Sequence, residues 1–144
     1  MRTNVKNGAA RGAKPETYAR PPRGAFLPVS MEDVLARGWD GIEILIITGD
    51  AYVDHPSFGH AMIARWLEAH GFRVGVVSQP DWRGTEDFAK LGRPSLCVML
   101  AAGNLDSMLN HYTASKKKRR SDAYTPGGEA GKRPDRATIV YCNR

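Results

Sequence analysis

Residues 42–47, IEILII, form an almost unbroken run of β-branched and apolar side chains. A strand with one solvated face alternates apolar and polar residues, whereas a strand covered on both faces is apolar at nearly every position. The run therefore predicts an inner strand of a parallel sheet. Parallel neighbours must be joined by crossovers, usually helices, so this short segment constrains the organisation of the chain around it.

The flanking segments supply the expected alternation. Strands are predicted over residues 73–78, 96–101 and 137–142, and helices over 56–70, 85–91 and 104–112. A short helix over 30–37 precedes the first strand, with Ser30 as N-cap and Gly38 as its end. Residues 113–136 are predicted to be a long polar loop. The fold class is therefore α/β: a Rossmann-like parallel sheet of the flavodoxin or cobalamin-binding type, with helices on both faces.

Further expectations follow for the helices and the cysteines. Asp54 or Ser57 is interpreted as the cap of the helix over 56–70, and Cys97 and Cys142 as reduced core residues of a cytoplasmic protein. No apolar run is long enough for a membrane helix. The apolar residues that share one face of that helix, and are expected to pack on the sheet, are Met62, Ile63, Trp66 and Leu67.

Charge divides the chain into three parts. Residues 1–24 carry six Lys and Arg against one acid, and we interpret them as a disordered basic leader without the apolar region of a secretory signal. Residues 25–115 carry six basic and eleven acidic side chains, and residues 116–144 carry nine and three. The folded middle is thus acidic, and the net charge of +6 does not by itself indicate a nucleic-acid-binding fold.

Ligands of open parallel sheets bind outside the carboxyl ends of the strands. This rule selects a candidate crevice at the loops that follow the first three predicted strands, which are rich in small, polar and aromatic residues. Any one of these residues is also ordinary loop composition. The predicted cofactor-binding residues are Thr48, Gly49, Asp50, Tyr52, Gln79, Asp81, Gly103 and Asn104.

The spacing of polar residues gives less support to a metal site or to a catalytic motif. Asp54, His55 and His60 lack the i, i+4 pairing of helical metal ligands, so no metal site is predicted. Neither a nucleophile elbow nor a Gly-rich phosphate motif follows any strand, and no catalytic residue is assigned. The basic run at 116–120, KKKRR, lies between Tyr112 and Tyr124 and leaves RNA contact open as an alternative.

Several long stretches closely resemble the N-terminal domain of YgiQ-type radical SAM proteins. They include TGDAYVDHPSFG at 48–59, QPDW at 79–82, AGNLDSMLNHYTASKKKRRSDAYTPGG at 102–128 and GKRPDRATIVY at 131–141. The resemblance covers residues 25–143. It implies a downstream barrel domain in the same chain, whose CxxxCxxC motif holds a [4Fe–4S] cluster that cleaves S-adenosylmethionine.

The present sequence has no CxxxCxxC motif. Residues 25–144 are therefore expected to be an incomplete, non-catalytic accessory domain that contributes a substrate- or cofactor-facing crevice. A broader resemblance to cobalamin-binding domains leaves a cobalamin- or nucleotide-binding module open. In that comparison Asp54 and His55 are adjacent, whereas the histidine ligand of the related motif, DxHxxG, is separated from its Asp by one residue.

Overall fold

A computed structural model describes residues 25–144, so the predicted leader at 1–24 lies outside the described residues. Its centre is a three-stranded, all-parallel sheet in the order β2-β1-β3. The strands are β1 (Ile44–Thr48), β2 (Val74–Ser78) and β3 (Cys97–Ala101). Ile44 lies opposite Val74 on one side and Cys97 on the other. The predicted α/β class and parallel pairing are confirmed.

Helices precede, connect and follow the strands. Their bounds are α1 (Met31–Ala36), α2 (Gly59–Ala69), α3 (Glu86–Ala89), α4 (Ser107–His111) and α5 (Ala137–Cys142), and a 3₁₀ turn spans Pro126–Gly128. Helix α1 begins as predicted. The Ser30 hydroxyl accepts from the Asp33 N–H at 3.1 Å, and the Asp33 carboxylate accepts from the Ser30 N–H at 3.0 Å, which satisfies two free donors of the first turn.

The core has two parts, one on each face of the sheet. Leu45 and Ile47 point towards the side of α1 and α5, and Ile44 and Ile46 towards the side of α2. All four are 2–4% exposed. The central strand is therefore buried on both faces, as the run at 42–47 predicts.

The predicted fourth strand at 137–142 is wrong, because these residues form helix α5. Ala137 and Tyr141 are buried in the core, whereas Thr138 and Ile139 are exposed. Burial at positions four apart is the pattern of a helix face, not of a strand. The β-branched residues favour a strand only weakly, and packing of Ala137 and Tyr141 outweighs that preference.

The predicted buried face of α2 is also wrong. Ala61 and Ala64 face the sheet and are almost fully buried, whereas Met62, Ile63 and Trp66 are 47–60% exposed. Small side chains allow the helix axis to approach the sheet closely, so the alanines rather than the large residues form the contact. Only Leu67 of the predicted face packs partly against the core.

The cap of α2 differs from its prediction as well. Helix α2 begins after Phe58, without a side-chain cap. Asp54 instead forms an ion pair with Arg65, which holds the pKa of that carboxyl below its usual value. Helix α4 is capped by Asp106, whose carboxylate accepts from the Met108 N–H at 2.8 Å.

Both cysteines are exposed, contrary to their interpretation as core residues. Cys97 lies at the start of β3, where three of the five residues are exposed. The reason is topological: within the described residues β3 pairs only with β1, so it is an edge strand. Cys142 is the last residue of α5.

Candidate functional site

The three strands end at one edge of the sheet, because they are parallel. The chain leaves β1 to form β2 on one side and then crosses to form β3 on the other. The carboxyl ends of β1 and β3 are therefore the point where a doubly wound sheet opens a ligand crevice. Six of the eight predicted residues meet here: Thr48, Gly49, Asp50, Gln79, Gly103 and Asn104.

This opening is filled by a side chain from a distant part of the chain. Arg133 donates to a carboxylate oxygen of Asp50 at 2.6 Å, and both side chains are fully buried. The other Asp50 oxygen accepts from the Asn104 N–H at 2.6 Å. Gly103 adopts φ +130°, and a Cβ there would collide with Asp50 and with Arg133. Glycine is thus required for the close approach of these groups.

Arg133 also binds a second carboxylate. Its Nε and Nη2 donate to the two oxygens of Asp122 at 2.9 and 3.1 Å, and its Nη1 lies 3.3 Å from the Ala102 carbonyl. The planar guanidinium fits two oxygens at once and keeps its charge when buried. One buried cation therefore connects two buried carboxylates, Asp50 and Asp122.

Residues 122–133, which we name the strap, hold this arrangement together. The Tyr124 carbonyl accepts from the Ala51 N–H at 2.9 Å. Gln79 Nε2 donates to the Thr125 hydroxyl at 2.7 Å and to the Gly49 carbonyl at 3.0 Å. Part of the predicted polar loop is therefore a folded cover that contacts the ends of β1, β2 and β3.

Sequence reasoning missed Arg133, Asp122 and Thr125. None of them follows a strand or belongs to a recognised spacing, so neither the crevice rule nor a motif selects them. Two signals were available: all three residues lie in the stretches that carry the family resemblance, and the charge of the chain is unevenly divided. An acidic middle and a basic C-terminal part are complementary, and Arg133 pairs with Asp50 across 83 residues.

The predicted residues other than Asp50, Gln79 and Gly103 differ in their surroundings. Thr48 and Gly49 are buried. The side chain of Asn104 is exposed, and its amide donates to the Ser57 carbonyl at 3.0 Å. Tyr52 makes its hydrogen bond away from the strap, where its hydroxyl accepts from the Leu27 N–H at 3.0 Å, and burial raises the pKa of the phenol. Asp81 is exposed and pairs with Arg83 at 3.2 Å.

His60 lies beneath the same edge. It is 5% exposed, its Nδ1 is 3.4 Å from the Thr48 hydroxyl, and its Nε2 has no hydrogen-bond partner among the described residues. Burial lowers the pKa of the imidazole, and the charge of Asp50 opposes that shift. Burial thus favours the neutral form of His60.

A cavity of about 220 Å³ adjoins His60, between α2 and β3. Gly103 and Asn104 contribute to its wall, together with Met99. Drug-sized ligands generally occupy pockets of about 300–1,000 Å³. The space is therefore too small for a large cofactor.

The chain's cysteines do not fit an iron–sulfur cluster. It contains two, which lie far apart in sequence, whereas CxxxCxxC supplies three ligands. Within residues 25–144, no three His, Cys, Asp or Glu side chains come together as a metal-binding group. The [4Fe–4S] cluster implied by the resemblance therefore has no set of ligands within residues 25–144.

The backbone of the basic run is hydrogen-bonded to residues 111–113, and the side chain of Arg119 also binds α4 and the residue after it. Arg119 Nε donates to the Leu109 carbonyl at 2.8 Å and to the Tyr112 carbonyl at 3.2 Å. The five side chains of residues 116–120 are all exposed. The structure thus places the run on the surface beside α4.

Comparison with known proteins identifies the class. The family of the Radical SAM N-terminal domain matches residues 26–144, and the chain belongs to this family. Among individual proteins it is similar to UPF0313 proteins, the YgiQ type. It is 64% identical to one from Pseudomonas aeruginosa, 62% to one from Pseudomonas syringae pv. tomato and 60% to one from Clostridium botulinum, each over 83% of this chain. The predicted resemblance is confirmed.

The matched region is a small part of these relatives. It spans 16%, 15% and 19% of their respective lengths. No solved structure matches the chain at a significant level. In the part of the chain that the structure describes, no helix combines the length and apolar character needed to cross a membrane.

Proposed function

We propose that this chain is the N-terminal accessory domain of a radical SAM iron–sulfur enzyme. The observation that carries the proposal is the family match across residues 26–144. The two cysteines of this chain do not match the cluster motif, and no metal-binding group is found within residues 25–144. This supports binding of the [4Fe–4S] cluster and S-adenosylmethionine by a downstream domain of the same chain. The accessory domain then acts as a folded neighbour of that catalytic domain, in the cytoplasm.

The buried network of Arg133, Asp50 and Asp122 is consistent with this accessory role. Arg133 and the strap join the ends of all three strands, so the edge of the sheet is rigid rather than open. Members of the predicted site that remain exposed, Asn104 and Asp81, are available to face a substrate or cofactor bound at the catalytic domain. Residues such as Asp50 support that surface from below.

The proposal is tested on a hybrid protein. Residues 1–144 are joined to the downstream part of the Pseudomonas aeruginosa relative, and iron and sulfide are added without oxygen. We expect the hybrid to bind iron, to gain the visible absorbance of a cluster and to cleave S-adenosylmethionine. The 144-residue chain alone is the control and should do none of these. A soluble, folded hybrid that binds no cluster would refute the proposal.

A Rossmann-like cobalamin- or nucleotide-binding module is the second candidate. The order β2-β1-β3 supports it, because flavodoxin-like sheets begin with the same order. The crevice of such a module would have to form where Arg133 now lies. Titration with cobalamin, followed by absorbance and calorimetry, tests it. No change in either signal would remove this candidate.

RNA contact is a third candidate, supported by the exposure of the basic run at 116–120. Its test compares the chain with a variant in which these five residues are alanine. If they bind phosphates, the variant should show weaker RNA binding and a shallower dependence of affinity on salt. An unchanged salt dependence would exclude the run as the contact.

A further inference from the structure

The two outer edges of the sheet differ. At β2, the segment before α1 covers the edge, where the Val76 N–H donates to the Pro28 carbonyl at 2.8 Å. At β3, no described segment lies beyond the strand in the sheet. An apolar edge strand without a cover is unusual, because free backbone groups there invite pairing with another strand.

The hydrogen-bond pattern identifies the unpaired groups. The Cys97 N–H donates to the Glu43 carbonyl at 3.3 Å, and the Ala101 carbonyl accepts from the Gly49 N–H at 3.1 Å. Alternate residues of a parallel strand face the same neighbour, so Cys97, Met99 and Ala101 face β1. The backbone groups of Val98 and Leu100 consequently point outwards. Among the described residues they form no hydrogen bond with any segment outside the sheet.

Both faces of β3 are also partly exposed, because three of its five residues are exposed within the described part of the chain. Val98 and Leu100 line an apolar groove of about 580 Å³ next to Phe88 and Tyr141. On the opposite face, Met99 lines the cavity beside His60. Val98 is 49% and Met99 36% exposed. A strand that is apolar on both faces has the composition of an inner strand rather than an edge strand.

The course of the chain indicates which segment belongs there. Helix α5 follows β3 and packs against it. Cys142, the last residue of α5, and Arg144 line the groove together with Arg93 and Pro94, which precede β3. The chain has thus returned to the end of the sheet where a parallel strand would start. Crossovers between parallel strands are right-handed, which places the next strand beside β3.

We propose that the outer edge of β3 binds a fourth, parallel strand supplied by the chain that follows the matched region in full-length proteins of this family. This inference rests on the proposed function, since it requires the downstream part. The strand pairs with the outward N–H and C=O groups of Val98 and Leu100. It converts β3 into an inner strand and completes the joint between the two domains.

Hydrogen exchange measures this pairing. We expect the amides of Val98 and Leu100 to exchange at least about tenfold more slowly in the hybrid protein than in the 144-residue chain, compared at a concentration where that chain is monomeric, because a ladder bond protects an amide. The amide of Met99, which already faces β1, should be protected in both. Unchanged exchange at Val98 and Leu100 in the hybrid would overturn the inference.

Proline variants provide a matched pair. Val98→Pro removes an outward donor, which an edge strand tolerates, so the 144-residue chain should stay folded while the hybrid loses protection at Leu100. Met99→Pro removes a bond to β1 and should destabilise both proteins. Equal destabilisation of both proteins by Val98→Pro would contradict the free edge.

The proposed function and the fourth strand are refuted by different results. A hybrid that binds the cluster and shows no new protection at β3 overturns the fourth strand and leaves the proposed function. A hybrid with protection at β3 and no cluster overturns the proposed function and supports the strand.

Discussion

Arg133 organises the functional edge at the scale of single residues. A buried guanidinium is stable only when its donors and its charge are both satisfied, and here two carboxylates and the Ala102 carbonyl do this. The same side chain occupies the place where a ligand would enter between β1 and β3. Arg133 is therefore a positioning residue, which fixes Asp50 and through it the backbone of Asn104.

Replacement of Arg133 should be costly. Arg133→Met leaves Asp50 and Asp122 buried without their cation, and we expect the free energy of unfolding to fall by about 3–5 kcal/mol. Arg133→Lys retains the charge but not the planar fork and should lie between that variant and the wild type. Urea unfolding monitored by circular dichroism gives these values.

Lys132→Met is the matched control. Lys132 is adjacent in sequence, is more than half exposed, and pairs with Glu129 at 3.0 Å. Its loss should change stability by no more than about 0.5 kcal/mol. Similar effects of the two Met variants would show that the network contributes little.

His60 should give the fold a pH dependence. Its folded pKa lies below the ordinary value near 6.5, so the unfolded chain takes up this proton first as pH falls. The free energy of unfolding should therefore decrease as pH is lowered through about 6.5. In His60→Gln this part of the decrease should disappear, as measured by urea unfolding at about pH 7.5 and 5.5. His55→Gln, at an exposed site, should retain the wild-type slope.

At the scale of elements, small residues decide how the helices lie. Helix α2 contacts the sheet through Ala61 and Ala64, and α5 enters the core through Ala137 and Tyr141. The burial of Tyr141 raises the pKa of its hydroxyl to about 12. In both helices, large apolar residues such as Trp66 and Ile139 remain at the surface.

Two substitutions in α2 test this orientation. Ala64→Leu adds volume at a fully buried position and should cost about 1–3 kcal/mol of stability. Met62→Gln changes a residue that is 55% exposed and should stay within about 0.5 kcal/mol. Thermal and urea unfolding distinguish the two. A larger loss for Met62→Gln would restore the orientation predicted from the apolar pattern.

At the scale of the whole molecule, the sheet is closed on one side and open on the other. The segment with Pro28 protects β2 and the strap closes the carboxyl edge. Within residues 25–144, the outward backbone groups of β3 have no partner strand and lie beside apolar side chains. Such an edge pairs with other chains unless it is covered or charged.

The isolated 144-residue chain should therefore self-associate. We expect its average sedimentation coefficient to rise with protein concentration, and Val98→Lys to reduce this rise, because a charge on the edge opposes strand pairing. Analytical ultracentrifugation measures both. The exposed variant Met62→Lys, away from the strand, is the control. A concentration-independent monomer would contradict the open edge.

Much of the fold was predictable because it depends on local patterns. The three strands, their parallel pairing and the capping box of α1 follow from side-chain runs and short spacings that act within a few residues. The crevice rule also selected Asp50, Gln79, Gly103 and Asn104, which do meet at one edge. Whether they contact a cofactor stays a prediction.

The sequence by itself determined the class of fold, the order of its first three strands along the chain and the family resemblance. The tertiary structure alone decided that residues 137–142 form a helix, that alanines form the inner face of α2, and that Arg133 closes the edge of the sheet. The physical reason is distance along the chain. Burial and ion pairing join Asp50 to Arg133 across 83 residues, and they outweigh the weak local preferences from which a single sequence is interpreted.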